Sequence, residues 1–214
     1  MRKFIPHEFP KLEQINSPTG RKYQTPEGNL YPSVTTVLSA MSNDYLLEWK
    51  QRVGESEADK ISKAAATRGT LIHEACEFFL LDKEFKFSPF AGVAAGMFKQ
   101  MIPLLNRFDD IHALETRMYS DKLRVAGTCD CIASIDGIPY VIDFKTSGRY
   151  KAREEIESYY MQGAAYSCMF YERTGILIPQ MRILITTADD GLLDYIEPVV
   201  KWLPKFVALR NTLE

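Results

Sequence analysis

Two aspartates and a lysine lie in a stretch whose pattern is typical of a β-hairpin. Asp130 belongs to one apolar run, and Asp143 and Lys145 belong to the next. Asp136-Gly137 joins the runs, and Asp-Gly between apolar segments favours a two-residue type I′ turn. Because that turn fixes the register, Asp130 is predicted to pair directly with Asp143, and Thr128 with Lys145.

Such a pairing would bring two carboxylates and an ammonium group onto one face of a sheet. Directly opposed residues have Cβ atoms about 4.5–5.5 Å apart, so the carboxylates would repel each other unless a cation lay between them. A divalent cation that prefers oxygen ligands would fit. The residues alone leave two interpretations open: a metal site, or an ordinary hairpin with its polar face in water. The opposite face is predicted to be apolar and buried, and comprises Cys129, Cys131, Ala133, Ile135, Tyr140, Ile142 and Phe144.

The bulk properties exclude several classes of protein. The chain has 214 residues, of which 46% are hydrophobic and 25% charged, as expected for a globular protein of one domain. A formal net charge of -2 argues against a protein that coats nucleic acid, but not against an enzyme with a local basic channel. No apolar run approaches the ~20 residues of a membrane span, and no signal or transit peptide is expected.

The remaining segments must supply the scaffold. Periodicity and turn residues predict strands near 21–24 and 30–31, and a short helix that begins after Ser33. They predict further helices around 45–49, over 70–81, opened by Arg68-Gly69-Thr70, and over 90–107, 152–173 and 199–213. Strands are expected at 112–119, where Glu115 is a possible third carboxylate, and at 181–186 and 192–196. The order predicts one α/β domain with a mixed sheet: a helical N-terminal half with a small β-hairpin (1–110), and a β-β-β-α-β core with a C-terminal helix (111–214).

Four short motifs occur in order along this scaffold. They are Gly-Thr-x-x-His within 68–74, Gly-x-x-Asp at 127–130, Asp-x-Lys-Thr at 143–146 and Gln-x-x-x-Tyr at 162–166. Together they resemble the PD-(D/E)XK nuclease superfamily and its RecB-like branch. The upstream segment 31–38, with Trp49 beyond it, is similar to the opening segment of the mitochondrial genome-maintenance exonuclease family and its phage and bacterial relatives.

The resemblance implies a restriction-endonuclease-like core, with a mixed central sheet flanked by helices, and a metal site. His73, Asp130, Asp143 and the backbone carbonyl of Phe144 would hold Mg²⁺ or Mn²⁺. Lys145 would orient or activate the attacking water and stabilise charge on the phosphate. The resemblance further implies that Glu115 is an auxiliary carboxylate, and that Gln162 and Tyr166 support the catalytic site and contact the phosphate backbone.

The implied activity is that of a metal-dependent DNA exonuclease, selective for single strands, in replication, recombination or repair. Its implied partners are DNA and possible replication or recombination proteins, and we expect a monomer in the cytoplasm of a bacterial or phage-infected cell, away from membranes. The C-terminal cysteine group of iron–sulfur relatives is missing, so we expect no cluster. Two alternatives stay open: a structure-selective or duplex nuclease of the same fold, and a catalytically silent DNA-binding module. The expected DNA contacts are Arg68, Thr70, Thr146, Ser147, Arg149, Lys151, Tyr159, Gln162 and Tyr166.

Overall fold

A six-stranded mixed sheet forms the centre of the molecule, in the order β1-β5-β6-β7-β8-β9. The computed structural model describes residues 2–41, 43–189 and 191–213, and only the backbone of residues 43–47. The strands of the sheet are β1 (Lys3–Phe4), β5 (Phe108–Ser120), β6 (Val125–Ile135), β7 (Ile138–Ser147), β8 (Gln180–Thr187) and β9 (Leu192–Pro198). β1 pairs in parallel with β5, and β7 with β8, whereas the other neighbours are antiparallel.

Helices cover both faces of this sheet. The helices are α1 (Val34–Ser39), α2 (Asn43–Val53), α3 (Glu55–Leu80), α4 (Gly92–Leu105), α5 (Glu157–Thr174) and α6 (Val199–Asn211). One apolar core joins the sheet to α1, α5 and α6, and a second joins its other face to α3 and α4. Because the central strands are covered on both faces, β8 is buried along nearly its whole length rather than at alternate residues. The predicted α/β class with a mixed sheet is therefore confirmed.

A second, three-stranded antiparallel sheet lies beside the first. It comprises β2 (Glu13–Ser17), β3 (Gly20–Gln24) and β4 (Leu30–Pro32). The predicted hairpin is thus present, and β2 adds a strand that its polar, turn-rich sequence does not reveal. Ser33 caps α1, since its side chain accepts a hydrogen bond from the Thr36 N–H. Ser33 also bridges to Ala126, which fixes the small sheet to the beginning of β6.

The long helix α3 corrects one prediction. Arg68-Gly69-Thr70 does not open a helix, because α3 runs without a break from Glu55 to Leu80. A glycine inside a helix costs only about 1 kcal/mol relative to alanine, which the surrounding good helix formers offset. A Cβ atom at Gly69 would lie 3.9 Å from the Thr146 hydroxyl oxygen. The glycine therefore marks where α3 lies close to β7.

The β6–β7 hairpin confirms the predicted turn but not the whole predicted register. Asp136 and Gly137 have φ angles of 53° and 78°, as a type I′ turn requires, and the pairing runs regularly from Ile135–Ile138 to Cys131–Ile142. The ladder then ends. The predicted pairs Asp130–Asp143 and Thr128–Lys145 do not form, because the two strands separate at this point. We call this separation the fork.

A second irregularity breaks the predicted alternation of side chains along β6. Cys129 packs in the core layer of α5, whereas Cys131 packs in the layer of α3 and α4. Residues two apart on a regular strand share a face, so the strand must be distorted between them. Opposite this distortion Glu115 has a φ of 45°. The local distortion of both strands thus coincides with the predicted carboxylates Glu115 and Asp130.

The other predicted elements are present with small shifts at their ends. A 3₁₀ turn (Arg153–Ile156) precedes α5, and Gly175 ends α5 in the left-handed conformation with φ 73°. Gly163 lets α5 pack closely on β8, since a Cβ atom there would lie 3.0 Å from the Met181 sulfur. The Asp190-Gly191 pair between β8 and β9 also predicts a turn, but Asp190 lies outside the described residues. Of the helices that the structure describes, none has the length and apolar character to cross a membrane.

Candidate active site

At the fork, a side chain takes the place of a main-chain hydrogen-bond acceptor. Asp130 is buried, and its Oδ2 accepts a hydrogen bond of 2.9 Å from the Phe144 N–H. This donor has lost its ladder partner where β6 and β7 separate, and a buried N–H without an acceptor would be costly. Asp130 thus joins the two strands through its side chain and faces the opening between them.

Glu115 reaches the fork through a strained backbone. Its φ of 45° is in the left-handed region, which costs a residue with a side chain about 1–3 kcal/mol. The distortion is fixed by Thr116, whose hydroxyl donates to the Leu114 carbonyl at 3.0 Å and accepts from the Leu114 N–H at 3.1 Å. The strain therefore has a local support, and its result is a carboxylate beside Asp130.

His73 projects from α3 toward the same place. Its Nε2 lies 2.7 Å from the Phe144 carbonyl oxygen, and its Nδ1 lies 3.7 Å from oxygens of both Glu115 and Asp130. One ligand atom from each of His73, Glu115 and Asp130 lies within 4.8 Å of the others. An imidazole and two carboxylates at this spacing are a donor set that suits a divalent cation.

The charges around His73 control its protonation. Burial by itself lowers the pKa of His73, but the negative charge of Asp130 and the hydrogen bond with Glu115 outweigh it and raise the pKa to about 9. The imidazole is therefore cationic at neutral pH in this arrangement. A site that concentrates negative charge enough to retain that proton also attracts a metal cation.

A second group of side chains adjoins the first. Lys145 donates a hydrogen bond of 2.5 Å to Oδ1 of Asp143, and Gln162 of α5 donates to the same oxygen at 2.8 Å. The Lys145 ammonium also lies 2.5 Å from Oδ2, yet that buried oxygen has no hydrogen bond of acceptable geometry among the described residues. The ring of Tyr159 covers the ammonium, 5.1 Å from its centroid. Lys145 is thus held by charge, hydrogen bond and aromatic contact.

Burial acts on both members of this pair. It raises the pKa of Asp143, although the charge of Lys145 opposes it. Burial would lower the pKa of Lys145, but Asp143 and Asp130 raise it above its ordinary value. We infer that Lys145 is an ammonium at neutral pH. In that state it can stabilise negative charge that develops beside it.

The structure divides the predicted metal ligands between the two groups. His73 and Asp130 lie together with the Phe144 carbonyl, as the prediction requires. Glu115 also lies in this group, 3.7 Å from His73, although only an auxiliary role was predicted for it. Asp143 instead contacts Lys145. Its second oxygen keeps a free acceptor position, so its assignment as a ligand stays a prediction.

Most of these groups line one cleft of about 790 Å³, whereas Asp143 is buried behind it. Its floor includes His73, Glu115, Asp130, Lys145 and Gln162. One wall is formed by the second sheet and α1, and the other by the 3₁₀ turn and the start of α5. The residues of the walls include Arg21, Tyr23, Ser33, Thr35, Ser39, Glu154, Glu155, Glu157, Ser158 and Tyr159.

Two residues of the Gly-x-x-Asp motif make contacts that the motif itself does not predict. Gly127 lies against Tyr166: a Cβ atom there would be 2.8 Å from the Tyr166 hydroxyl oxygen. Thr128 faces the cleft and lies 3.5 Å from the Tyr23 hydroxyl. Tyr23 was not a predicted site residue, because a tyrosine in a short polar strand carries no signal of this contact.

The remaining predicted DNA contacts are more scattered. Tyr159, Gln162 and Tyr166 line the cleft. Arg149 and Lys151 form ion pairs with Glu155 and do not line it. The other four lie around α3 and β7. Thr70 lies in a smaller groove beside His73, Arg68 lies in another groove with Lys60 and Phe90, and Ser147 is buried. The Thr146 hydroxyl lies near Gly69.

Comparison with known proteins indicates an exonuclease relationship. The chain is 32% identical over 132 residues to human mitochondrial genome maintenance exonuclease 1, covering 58% of this chain and 38% of that protein. It is 28% identical over 131 residues to the mouse protein of the same name, covering 58% of this chain and 39% of that one. No protein-family model matches the chain.

These matches are partial. The chain spans about two fifths of the length of the curated relatives it matches, so their whole activity transfers only as a proposal. A solved structure of an exonuclease candidate from Eubacterium rectale aligns with 84% of this chain and 68% of that one, at 14% identity and a TM-score of 0.36. That likeness is too weak to support an argument about fold or chemistry. The chain is therefore similar to proteins named as exonucleases over a little more than half of its length.

Proposed function

We propose that this chain is a metal-dependent DNA exonuclease of the PD-(D/E)XK type that prefers single strands. The observation that carries the proposal is the fork, where His73, Glu115 and Asp130 approach within 4.8 Å beside the Asp143–Lys145 pair. The similarity to proteins named as exonucleases supports the same class of reaction.

The donor set fits a divalent cation. Imidazole and carboxylate ligands converge at the fork, the Phe144 carbonyl oxygen lies beside them, and Asp143 keeps a buried oxygen without a hydrogen bond. Mg²⁺ or Mn²⁺ held there by His73, Glu115, Asp130 and Asp143 would lower the pKa of bound water and neutralise charge on the phosphoryl group. Imidazole is a softer ligand than Mg²⁺ prefers, so we expect Mn²⁺ to be active as well.

The protein's own groups supply positioning and fixed charge. Lys145 is an ammonium at the floor of the cleft, where it can stabilise negative charge that develops on a phosphate. Asp143 holds Lys145 in place, and Gln162 in turn fixes Asp143 through their 2.8 Å hydrogen bond. Tyr159 covers one side of the ammonium and shields it from water.

The cleft favours a single strand as substrate. The reactive groups lie between two walls, and a duplex would have to bring its second strand into the same cleft. Tyr159 offers an aromatic face for stacking, which holds bases without regard to sequence.

Nuclease assays with end-labelled DNA test the proposal. We expect Mg²⁺ and Mn²⁺ to support hydrolysis of linear single strands, EDTA to abolish it, and duplex to be cut more slowly. Rapid cutting of circular single strands would contradict an exonuclease, and faster digestion of duplex would favour the structure-selective alternative.

A pair of matched variants separates catalysis from simple binding. Lys145→Met should slow hydrolysis by about 10²–10³-fold, whereas Asp136→Asn, at the opposite end of the same two strands, should leave it unchanged. If neither metal supports hydrolysis that depends on Lys145, the chain is a DNA-binding module without catalytic activity.

A further inference from the structure

The two walls of the cleft differ in charge. The wall at the start of α5 carries Glu154, Glu155 and Glu157, whereas the wall of the second sheet carries Arg21 and a set of hydroxyl groups. Among the described residues, two lysine or arginine side chains line this cleft: Lys145 on the floor and Arg21 on the wall. A polyanionic strand in the cleft should therefore lie along the wall of β3 and α1.

Arg21 is available for such a contact. It is exposed, and within the described ranges no carboxylate lies at ion-pair distance from it. Its main chain is firmly held, because its carbonyl accepts from the Ser33 N–H at 2.8 Å and from the Thr36 hydroxyl at 3.1 Å. Arg149 and Lys151, by contrast, already face Glu155. A fixed backbone with an uncommitted guanidinium group is suited to hold a phosphate.

The shape of the surface continues the cleft past Arg21. A shallow groove of about 440 Å³ lies on the outer side of this residue, and it shares Arg21, Thr35 and Ser39 with the cleft. Thr35 and Ser39 are four residues apart on α1 and so lie on one face. A nucleic-acid strand longer than the cleft would pass over Arg21 and these hydroxyl groups where it leaves the cleft.

The position of Arg21 separates it from the reacting phosphate. Thr128 is two residues from Asp130 on β6, Tyr23 contacts Thr128, and Arg21 lies two residues further along β3. Two side chains thus intervene between Arg21 and the proposed metal ligand. Arg21 is positioned to hold a phosphate other than the one that is cut.

We propose that Arg21, with Thr35 beside it, forms a second phosphate subsite at the mouth of the cleft, for a single nucleic-acid strand that extends beyond the catalytic floor. The subsite rests on the proposed nuclease function for its substrate class. It would govern affinity and the minimum length of a well-bound substrate, but not the chemical step.

Equilibrium binding tests the subsite without relying on hydrolysis. A fluorescein-labelled 20-nucleotide single strand is titrated with protein in EDTA, and the binding constant is measured by anisotropy at several salt concentrations. Arg21→Ala should weaken binding about tenfold and reduce the salt slope by about one. The control is Lys22→Ala, which removes the same charge from the next residue, on the opposite face of β3 and outside the cleft. It should change binding by less than about twofold.

A scan with a single neutral linkage locates the contact. One methylphosphonate is moved along the strand, and each oligonucleotide is measured with wild type and Arg21→Ala. In wild type, the linkage at the subsite should weaken binding, and in Arg21→Ala that penalty should vanish while the penalties at other positions persist. Identical profiles for the two proteins, or equal effects of Arg21→Ala and Lys22→Ala, would overturn the subsite.

Kinetics separates this proposal from the proposed function. If wild type hydrolyses DNA, Arg21→Ala should raise KM about tenfold with kcat within about twofold. If wild type binds the strand through Arg21 but never cuts it, the subsite stands and the nuclease assignment fails. If wild type cuts the strand and Arg21→Ala behaves as wild type, the nuclease assignment stands and the subsite fails.

Discussion

The two ends of the β6–β7 hairpin are built from the same strands and have opposite character. At the turn, pairing is regular and positive φ angles fall on Asp136 and Gly137, residue types that accept them. At the fork, pairing stops, and the positive φ falls on Glu115, a residue type that resists it. Local sequence preference thus determines the turn, whereas at the fork it is overridden. At the fork, the unfavoured geometry brings the carboxylates of Glu115 and Asp130 close together.

The ion pairs at the two ends of the hairpin also differ. At the turn, Arg107 pairs with Asp136 on the surface, where water screens the interaction. At the fork, Lys145 pairs with the buried Asp143, and the Lys145 side chain itself is only partly exposed. A surface pair contributes little to stability, whereas the buried pair fixes an ammonium group beside a donor set for a cation. Substitutions at the two ends should therefore differ in kind as well as in size.

The largest expected effect comes from Asp143→Asn. The change removes a charge that holds Lys145 and could ligate a cation, so we expect kcat to fall by about 10³-fold or more. Asp136→Asn at the turn should leave kcat unchanged. Circular dichroism and thermal melting of both variants establish that the fold survives. Activity of Asp143→Asn near the wild-type level would refute its place at the reacting centre.

Lys145→Met should have the next largest effect. It removes the fixed positive charge but keeps most of the apolar stem, and we expect a loss of about 10²–10³-fold in kcat. Lys145→Arg retains the charge with a different geometry, so its kcat should lie between those of wild type and Lys145→Met. The measurement is single-turnover hydrolysis at saturating metal. Equal rates for the Met and Arg variants would mean that shape, rather than charge, is what Lys145 provides.

The turn end of this hairpin was predictable from the sequence, and the fork was not. Asp136-Gly137 specifies a turn from two residues, and the register follows from it as far as Cys131–Ile142. Extending that register to Asp130 and Asp143 failed, because pairing depends on more than the turn. The Asp130 side chain takes over the Phe144 N–H, and no local pattern encodes that exchange.

The site shows the same limit. The motifs placed His73, Asp130, Lys145 and Gln162 in one cleft, because each motif is a short string with a defined chemistry. The left-handed conformation of Glu115 is one that its residue type does not favour, and the wall that β3 contributes arises from contacts between distant segments. Such contacts leave no periodic signal in the chain.

Gly127→Ala tests how tightly the fork is packed. Its new Cβ would lie 2.8 Å from the Tyr166 hydroxyl oxygen and 2.9 Å from Cε1 of the ring, so we expect a loss of about 1–3 kcal/mol in unfolding free energy. Gly96→Ala, at an exposed and open position of α4, should instead stabilise the protein by about 0.5–1 kcal/mol. Chemical denaturation measures both. If Gly127→Ala costs as much when Tyr166→Leu is also present, the contact with Tyr166 is not the cause.

The smallest effects should come from the positive φ angles at the two ends. Glu115→Gly relieves the strain at the fork, whereas Glu115→Ala keeps it, so the glycine variant should be more stable than the alanine variant by about 1 kcal/mol. At the turn the order reverses: Gly137→Ala introduces strain at a φ of 78° and should cost about 1 kcal/mol without a change in activity.

Activity completes this comparison, because the two Glu115 variants should lose metal-dependent hydrolysis to the same extent whatever their stability. Both lack the carboxylate near His73 and Asp130, so relief of strain cannot restore a missing ligand. Denaturation curves and metal titrations of the Gly and Ala variants provide the two measurements. If the glycine variant were less stable than the alanine variant, the left-handed conformation of Glu115 would not be a source of strain. If both variants titrated with metal as wild type does, the carboxylate would have no part in holding the cation.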